Sequence, residues 1–348
     1  MKSLAAEIVA VIIDEYGRDE LLKRLSDTFW FQSLGCVLGY DWHSSGVTTV
    51  LTAVLREAVN PTNTGLAVCG GKGKRSKRTP AEIRQYGTLF KLSEEQVKGL
   101  EHASRMVAKV DNAAIQAGYP LYHHAFIMTE EGKWAVVQQG LGAHDKTARR
   151  YHWLGEHVHG FVSEPHDAIV GDTIRPIALD MTSTESEESR RVAVDLVKDG
   201  VGKIRREVLS LRSDDQRLLT EWMNQTPTRT YRNQVLNMPR HIDWDAIKRA
   251  YEFQPTNYEQ LLGVQGVGPG AVRALALVSQ IIYGAEPSWQ DPVKFSFALG
   301  GKDGVPFPVD RPSYDQTIQH LSHLIENARL EGGEKYAALK RLKSIAAN

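Results

Sequence analysis

Apolar residues recur every three to four positions over 3–16 and again over 19–25, which predicts two consecutive amphipathic helices at the start of the chain. The same period predicts a helix over Val47–Val59, with Ser44 or Ser45 as its N-cap and Asn60-Pro61 as its stop. Ser93 and Gln96 have capping-box spacing and open a long helix to about Ala117. Its apolar stripe is Val97, Leu100, Ala103, Val107, Val110 and Ala114, and its polar face carries Arg105, Lys109, Asn112 and Gln116. Phe29-Trp30-Phe31 reads as an aromatic core cluster.

Alternation replaces the helical period in the middle of the chain. Leu66–Cys69 reads as a short strand running into glycines, and Leu121–Met128 and Trp134–Gln139 as a hairpin around Glu130-Glu131-Gly132. On such strands His123 and His124 point to opposite faces, as do Gln138 and Gln139, so a His and a Gln can share a face. The polar stretch Met181–Ser189 marks a boundary or a helix start. Helices are predicted beyond it at Arg190–Lys198, Lys203–Leu211, Asp215–Asn224 and Asp243–Glu252. A Gly/Pro-rich segment, Asp291–Asp310, precedes helices over 314–330 and 333–346. The expected architecture is an α/β (α+β) N-terminal catalytic domain over 1–182 and a mostly helical DNA-binding domain over 183–348, in keeping with a length of 348 residues.

Within the helical half, residues 256–283 have the pattern of a helix-hairpin-helix. Thr256 and Glu259 fit a capping box, a short helix closes at Gly263, and Gly266-Val267-Gly268 turns the chain into a second helix from about Gly270 to Tyr283. Val267 is expected to plug the space between the helices. The glycines admit positive φ and leave the amides at the new helix N-terminus facing an anion, usually a DNA phosphate. Gly266, Val267, Gly268 and Gly270 are therefore expected DNA contacts. Such a module confers affinity without sequence choice.

Composition narrows the picture. Lys+Arg and Asp+Glu both number 42, so a nucleic-acid partner requires local patches of positive charge. The run Lys72-Gly73-Lys74-Arg75-Ser76-Lys77-Arg78 is one such patch; Lys72, Lys74, Arg149 and Arg150 are expected to contact phosphate. The Gly-Gly-Lys-Gly-Lys frame lacks the spacing of an ATP-binding loop. Two cysteines, Cys36 and Cys69, make neither a disulfide framework nor a four-cysteine zinc site and suit a reducing cytoplasm. The apolar stretch Ala5–Ile13 is interrupted by Glu7, which fits neither a signal peptide nor a membrane span.

The polar residues of the N-terminal half suit phosphodiester cleavage. Asp41, Asp111, Glu164 and His166 are candidate ligands for Mg²⁺ or Mn²⁺. His43, Lys109, Asp111, His123 and Gln138 are the candidate catalytic groups: a histidine as general base, a lysine to offset developing charge. The expected activity is that of a metal-dependent DNA nuclease acting on structured or damaged DNA. One alternative is a base-repair glycosylase or lyase using Asp291 after the hairpin, although Pro269-Gly270 stands where bifunctional glycosylases place a lysine. Another is a non-catalytic DNA-binding protein.

Several segments together resemble the domain-of-unknown-function family numbered 763, of archaea and thermophilic bacteria. They are Trp30-Phe31-Gln32, Asp41–Thr49, Gly70–Lys74, Ala108–Asp111, Leu121–His124, Trp134–Gly140, Ala148–Trp153, the hairpin, and Gly300–Gly304. The resemblance implies a novel N-terminal domain joined to a helix-hairpin-helix domain, in a group of metal-dependent DNA nucleases acting as dimers. Members usually begin with a segment containing Pro-Leu-His-Gly-Gly ahead of the first helix; this chain starts after it, which implies an impaired site if that segment contributes.

Overall fold

The computed structural model describes residues 1–40, 45–143, 145–212, 237–295 and 311–346. Asp41 and His43, the predicted helix Asp215–Asn224 and the segment Gly300–Gly304 lie outside the described residues. At the centre is a five-stranded antiparallel sheet of β1 (Leu66–Lys72), β3 (Leu121–Thr129), β4 (Trp134–Leu141), β5 (Ala148–Leu154) and β6 (Ala168–Gly171), in the order β1-β3-β4-β5-β6. A small ribbon pairs β2 (Ile115–Gln116) with β7 (Leu179–Asp180). Antiparallel pairing makes the fold mixed α+β, with a helical C-terminal region.

Each face of the sheet is covered by helices. On one side pack α1 (Lys2–Tyr16), α2 (Arg18–Ser26), α3 (Thr28–Val37) and α4 (Val47–Ala58), against Val68, Ile127, Val137 and Leu154. The aromatic cluster belongs to α3, whose start is fixed by Asp27 accepting from the amides of Phe29 and Trp30, both at 2.8 Å. A helix of four residues, α5 (Pro61–Thr64), leads into β1. The other side carries α6 (Thr79–Leu89), α7 (Glu94–Lys109), α8 (Glu187–Asp199) and α9 (Val201–Arg212). It also carries α10 (Trp244–Phe253), α11 (Tyr258–Gly263) and α12 (Pro269–Tyr283). The capping box at Ser93 and Gln96 forms as expected.

The division at 182/183 does not separate two cores. One apolar cluster runs from Ala67 through Met106, Phe126 and Trp153 to Leu196, Leu262 and Leu277, so strands from before the boundary and helices from after it share an interior. The last two helices, α13 (Arg311–Asn327) and α14 (Gly332–Ala346), return to the opposite face, where Leu321, Leu324 and Leu342 pack with α1–α4. The apolar stripes of the C-terminal helices predict that they are buried, but not that they are buried against the sheet.

The basic run forms a tight 3₁₀ turn, Gly73–Arg78, followed by α6. Strands β5 and β6 appear where the sequence shows mixed polar and apolar residues. The long helix ends at Lys109, and the next turn, Val110–Ala114, widens so that the Ile115 amide reaches the Val110 carbonyl. Among the described residues no helix is long and apolar enough to cross a membrane.

Candidate functional site

Two helices and a bend form one wall of the site. The α11 N-cap is Asn257, which accepts from the Gln260 amide at 2.9 Å, one residue on from the expected Thr256; Thr256 instead donates to the Gln260 side chain. Between α11 and α12 the chain turns with Gly266 at φ 88° while Val267, 1% exposed, fills the space beneath. Gln265, Gly266 and Pro269 are exposed. No side chain caps the start of α12, where Pro269 brings no amide, Gly270 is half-buried and Ala271 is buried. The three glycines serve different ends. A Cβ at Gly270 would sit 2.2 Å from the His241 carbonyl oxygen, and one at Gly266 would meet Asp243, Ala246 and Arg249. Gly268 alone of the three faces open space, with Gly266 O at 3.7 Å as the nearest atom to an added Cβ.

Lys109, expected to act on a scissile phosphate, instead holds this bend. Its Nζ donates to the carbonyls of Val264 and Val267, both at 2.7 Å. Burial, with Arg105 nearby, pulls its pKa down to about 8. Gln116, further along the chain, donates to the Pro269 carbonyl at 2.9 Å.

The bend forms one rim of a cavity of about 760 Å³. The opposite rim comes from the basic turn and α6, with Ser76, Lys77 and Arg84; Ser104, Arg105 and Lys109 of α7 line the wall; Tyr122, His123 and His124 of β3 form the floor. Lys72 and Lys74 are exposed beside it, and Lys72 Nζ lies 5.8 Å from the centre of the Tyr122 ring.

Behind the floor, strand register aligns polar side chains in rows. His123 pairs with Gln139 and Arg150, and His124 with Gln138 and Tyr151, so the expected His–Gln neighbours occur on both faces of the sheet. On the face toward α7, an unbroken hydrogen-bonded chain leads inward. Ser104 Oγ is 2.9 Å from His124 Nε2, and His124 Nδ1 is 2.7 Å from Gln138 Oε1. Gln138 Nε2 donates to the Val107 carbonyl at 3.0 Å and to Asp111 Oδ2. Asp111 Oδ2 also accepts from Trp153 Nε1 at 3.0 Å, while its Oδ1 meets His166 Nε2. His166 borders a smaller cleft of about 330 Å³ that includes Glu164, Asp180 and Asp291.

On the other face His123 Nε2 lies 3.0 Å from Thr52 Oγ1, and Gln139 Nε2 donates to the Tyr122 hydroxyl at 2.7 Å. His123 Nδ1, Gln139 Oε1 and His152 Nε2 are buried without hydrogen-bond partners. Desolvation lowers the pKa values of His123, to about 3, and of His124 and His152, so all three are neutral near pH 7. A neutral imidazole holds its lone pair available, but a pKa of about 3 makes His123 a poor general base at neutral pH.

Other expected contacts are placed elsewhere. Arg149 is not a surface DNA contact: it is fully buried, doubly bonded to Asp291 and stacked on Tyr119 at 4.5 Å. Arg150 is 1% exposed, bonds Gln32 Oε1 at 2.9 Å and lies over the Phe31 ring. Burial lowers its pKa to about 9. Of the expected metal ligands, Asp111 and His166 meet, but Asp111 has its other oxygen engaged by Gln138 and Trp153, Glu164 is exposed, and Asp41 lies outside the described residues. Among the described residues no group of three His, Cys, Asp or Glu can hold a metal ion.

Ser104 and the bond from His124 to Gln138 belong to no motif in the sequence. A signal was available: Ser104 on α7 and Asp111 in the turn after it stand two turns apart along the apolar stripe expected to run to about Ala117, where a polar residue needs a buried partner.

The fold and site define a helix-covered antiparallel-sheet protein with a basic cavity against a glycine bend. The chain belongs to the family described as protein of unknown function (DUF763), whose family model matches residues 1–309. No curated protein and no solved structure matches it.

Proposed function

We propose that this protein binds DNA through its backbone, across the cavity between the basic turn at 73–78 and the bend at 264–270, and cleaves a phosphodiester there. The observation that carries the reading is that the exposed glycine bend between α11 and α12 and the cationic turn both line one cavity, with His124 bonded to Ser104 at its α7 side. Free amides at a helix start attract phosphate, and Lys77 and Arg105 add positive charge where the chain as a whole has none. The bend supplies binding, the cations offset charge, and the side chains of α7 and β3 supply proton-transfer groups. A metal-dependent route through Asp111 and His166 would require breaking a saturated hydrogen-bond set, so no step is assigned to a metal.

The glycosylase alternative finds less support. Its aspartate, Asp291, has no solvent access at its side chain, which is committed to Arg149. The non-catalytic alternative shares the binding surface and is separated by turnover. The test is to measure binding and cutting of single-stranded, duplex and bubble DNA with Mg²⁺, Mn²⁺ or EDTA at several salt concentrations. Salt-sensitive binding with chain cleavage is expected. Binding without cutting of any substrate would leave only the non-catalytic reading, and absence of binding would reject both.

A further inference from the structure

We infer that Ser104 is a nucleophile, with His124 as its general base and Gln138 as the residue that positions that base, and that the trio attacks a phosphodiester seated in the large cavity.

The inference follows from accounting for protons. Gln138 Nε2 faces two groups that can only accept, the Val107 carbonyl and the Asp111 carboxylate, so the amide orientation is fixed. Its Oε1 therefore faces His124 Nδ1, which must carry the ring proton to make the 2.7 Å bond. His124 Nε2 is then a bare acceptor, and the 2.9 Å contact requires Ser104 to donate its hydroxyl proton to it. A serine donating to a neutral imidazole whose far nitrogen is held by a fixed acceptor is the arrangement that activates a hydroxyl. Ser104 and His124 are nearly buried, 4% and 6% exposed, and both line the cavity, so a ligand seated there borders the pair. Lys77 and Arg105 line the same cavity and suit a phosphorus centre gaining negative charge.

The chemistry balances without a further reactant other than water. Ser104 Oγ bonds to phosphorus as the bond from phosphorus to the leaving sugar oxygen breaks. The hydroxyl proton passes to His124 Nε2 and then to the leaving oxygen. Water next attacks phosphorus, gives a proton to His124, and Ser104 Oγ departs and takes that proton back.

The phosphodiester assignment rests on the DNA-binding reading above; activation of the serine does not, and the two are tested separately. The full chain is treated with a biotinylated fluorophosphonate and digested for mass spectrometry. In parallel it is incubated with an oligonucleotide carrying a bridging phosphorothiolate, whose thiolate leaves and traps a covalent adduct. We expect phosphonylation at Ser104, complete loss of that adduct in Ser104→Ala, and slowing by about 100-fold in His124→Gln, as for loss of a general base. Should His124→Gln fail to fold, Ser104→Cys is used instead: iodoacetamide should alkylate it at pH 7 at least about 10-fold faster than Cys36 or Cys69, both buried. Absence of the fluorophosphonate adduct at Ser104 in folded protein overturns the inference. A Ser104 adduct with no DNA binding upholds the activated serine and rejects its phosphodiester substrate. DNA binding with no adduct by either probe rejects the inference and leaves the DNA reading standing.

Discussion

Arg149 and Asp291 are joined by two hydrogen bonds, 2.5 and 2.7 Å, between side chains with no solvent access, tying β5 to the segment that follows α12. Asp291 also accepts from the Arg175 amide at 2.7 Å, so its carboxylate fixes three parts of the chain at once. Removing one partner would strand a buried charge. Arg149→Met and Asp291→Asn are each expected to lower unfolding free energy by about 3–5 kcal/mol in urea titrations. DNA affinity, measured where the variants remain folded, should not change. A selective loss of affinity in Arg149→Met would restore it to the DNA-contacting set.

The bend glycines should separate by role. At Gly268 the backbone is extended (φ −127°) and an added Cβ meets nothing close. Gly268→Asp should therefore leave the melting temperature almost unchanged while weakening DNA binding about 10-fold or more, since it sets a carboxylate before the α12 amides. Gly270→Ala should instead destabilise the fold, because its Cβ would lie 2.2 Å from the His241 carbonyl oxygen. Equal DNA affinity for wild type and Gly268→Asp would refute the role of the bend.

Lys109 offers a positional test. Lys109→Met keeps the aliphatic stem but leaves two carbonyls of the bend without their donor. A loss of about 1–3 kcal/mol is expected. Amide exchange at Val267 and Gly268 should quicken, and DNA affinity should fall. If affinity falls while exchange is unchanged, Lys109 touches the ligand directly and does not act through the bend.

The buried histidines predict acid sensitivity. His123 has a folded pKa of about 3, lowered chiefly by desolvation, against about 6.5 for an exposed imidazole. A depressed folded value means the unfolded chain binds the proton first. The stability from this group is full above about pH 6.5 and is lost as pH falls toward 3. His124 and His152 act in the same direction. Between pH 7 and 4.5, His123→Gln should lose about 2 kcal/mol less stability than wild type in denaturant titrations. Parallel curves for the two proteins would show that His123 does not carry this dependence.

Much of the local structure is legible in the residues. The capping box at Ser93, the β3–β4 hairpin with its turn glycine, and the helix–bend–helix around Gly266 each depend on neighbours a few positions apart, and each appears where the pattern puts it. The pairing of histidines with glutamines is a consequence of strand alternation and needs no tertiary information. What the chain pattern could not decide is which charged groups meet. Arg149 and Arg150 read as a basic surface pair, yet strand geometry sends them to opposite faces of a sheet that helices cover on both sides, one against Asp291 and the other against Gln32. Ser104 becomes chemically interesting only when β3 and β4 bring His124 and Gln138 beneath α7. Lys109 looks like a catalytic cation until the bend, far along the chain, is folded against it. Hydrogen bonding and periodicity act over a few residues and are written locally; burial and the partners of buried charges depend on contacts across more than a hundred residues, and only the assembled fold supplies them.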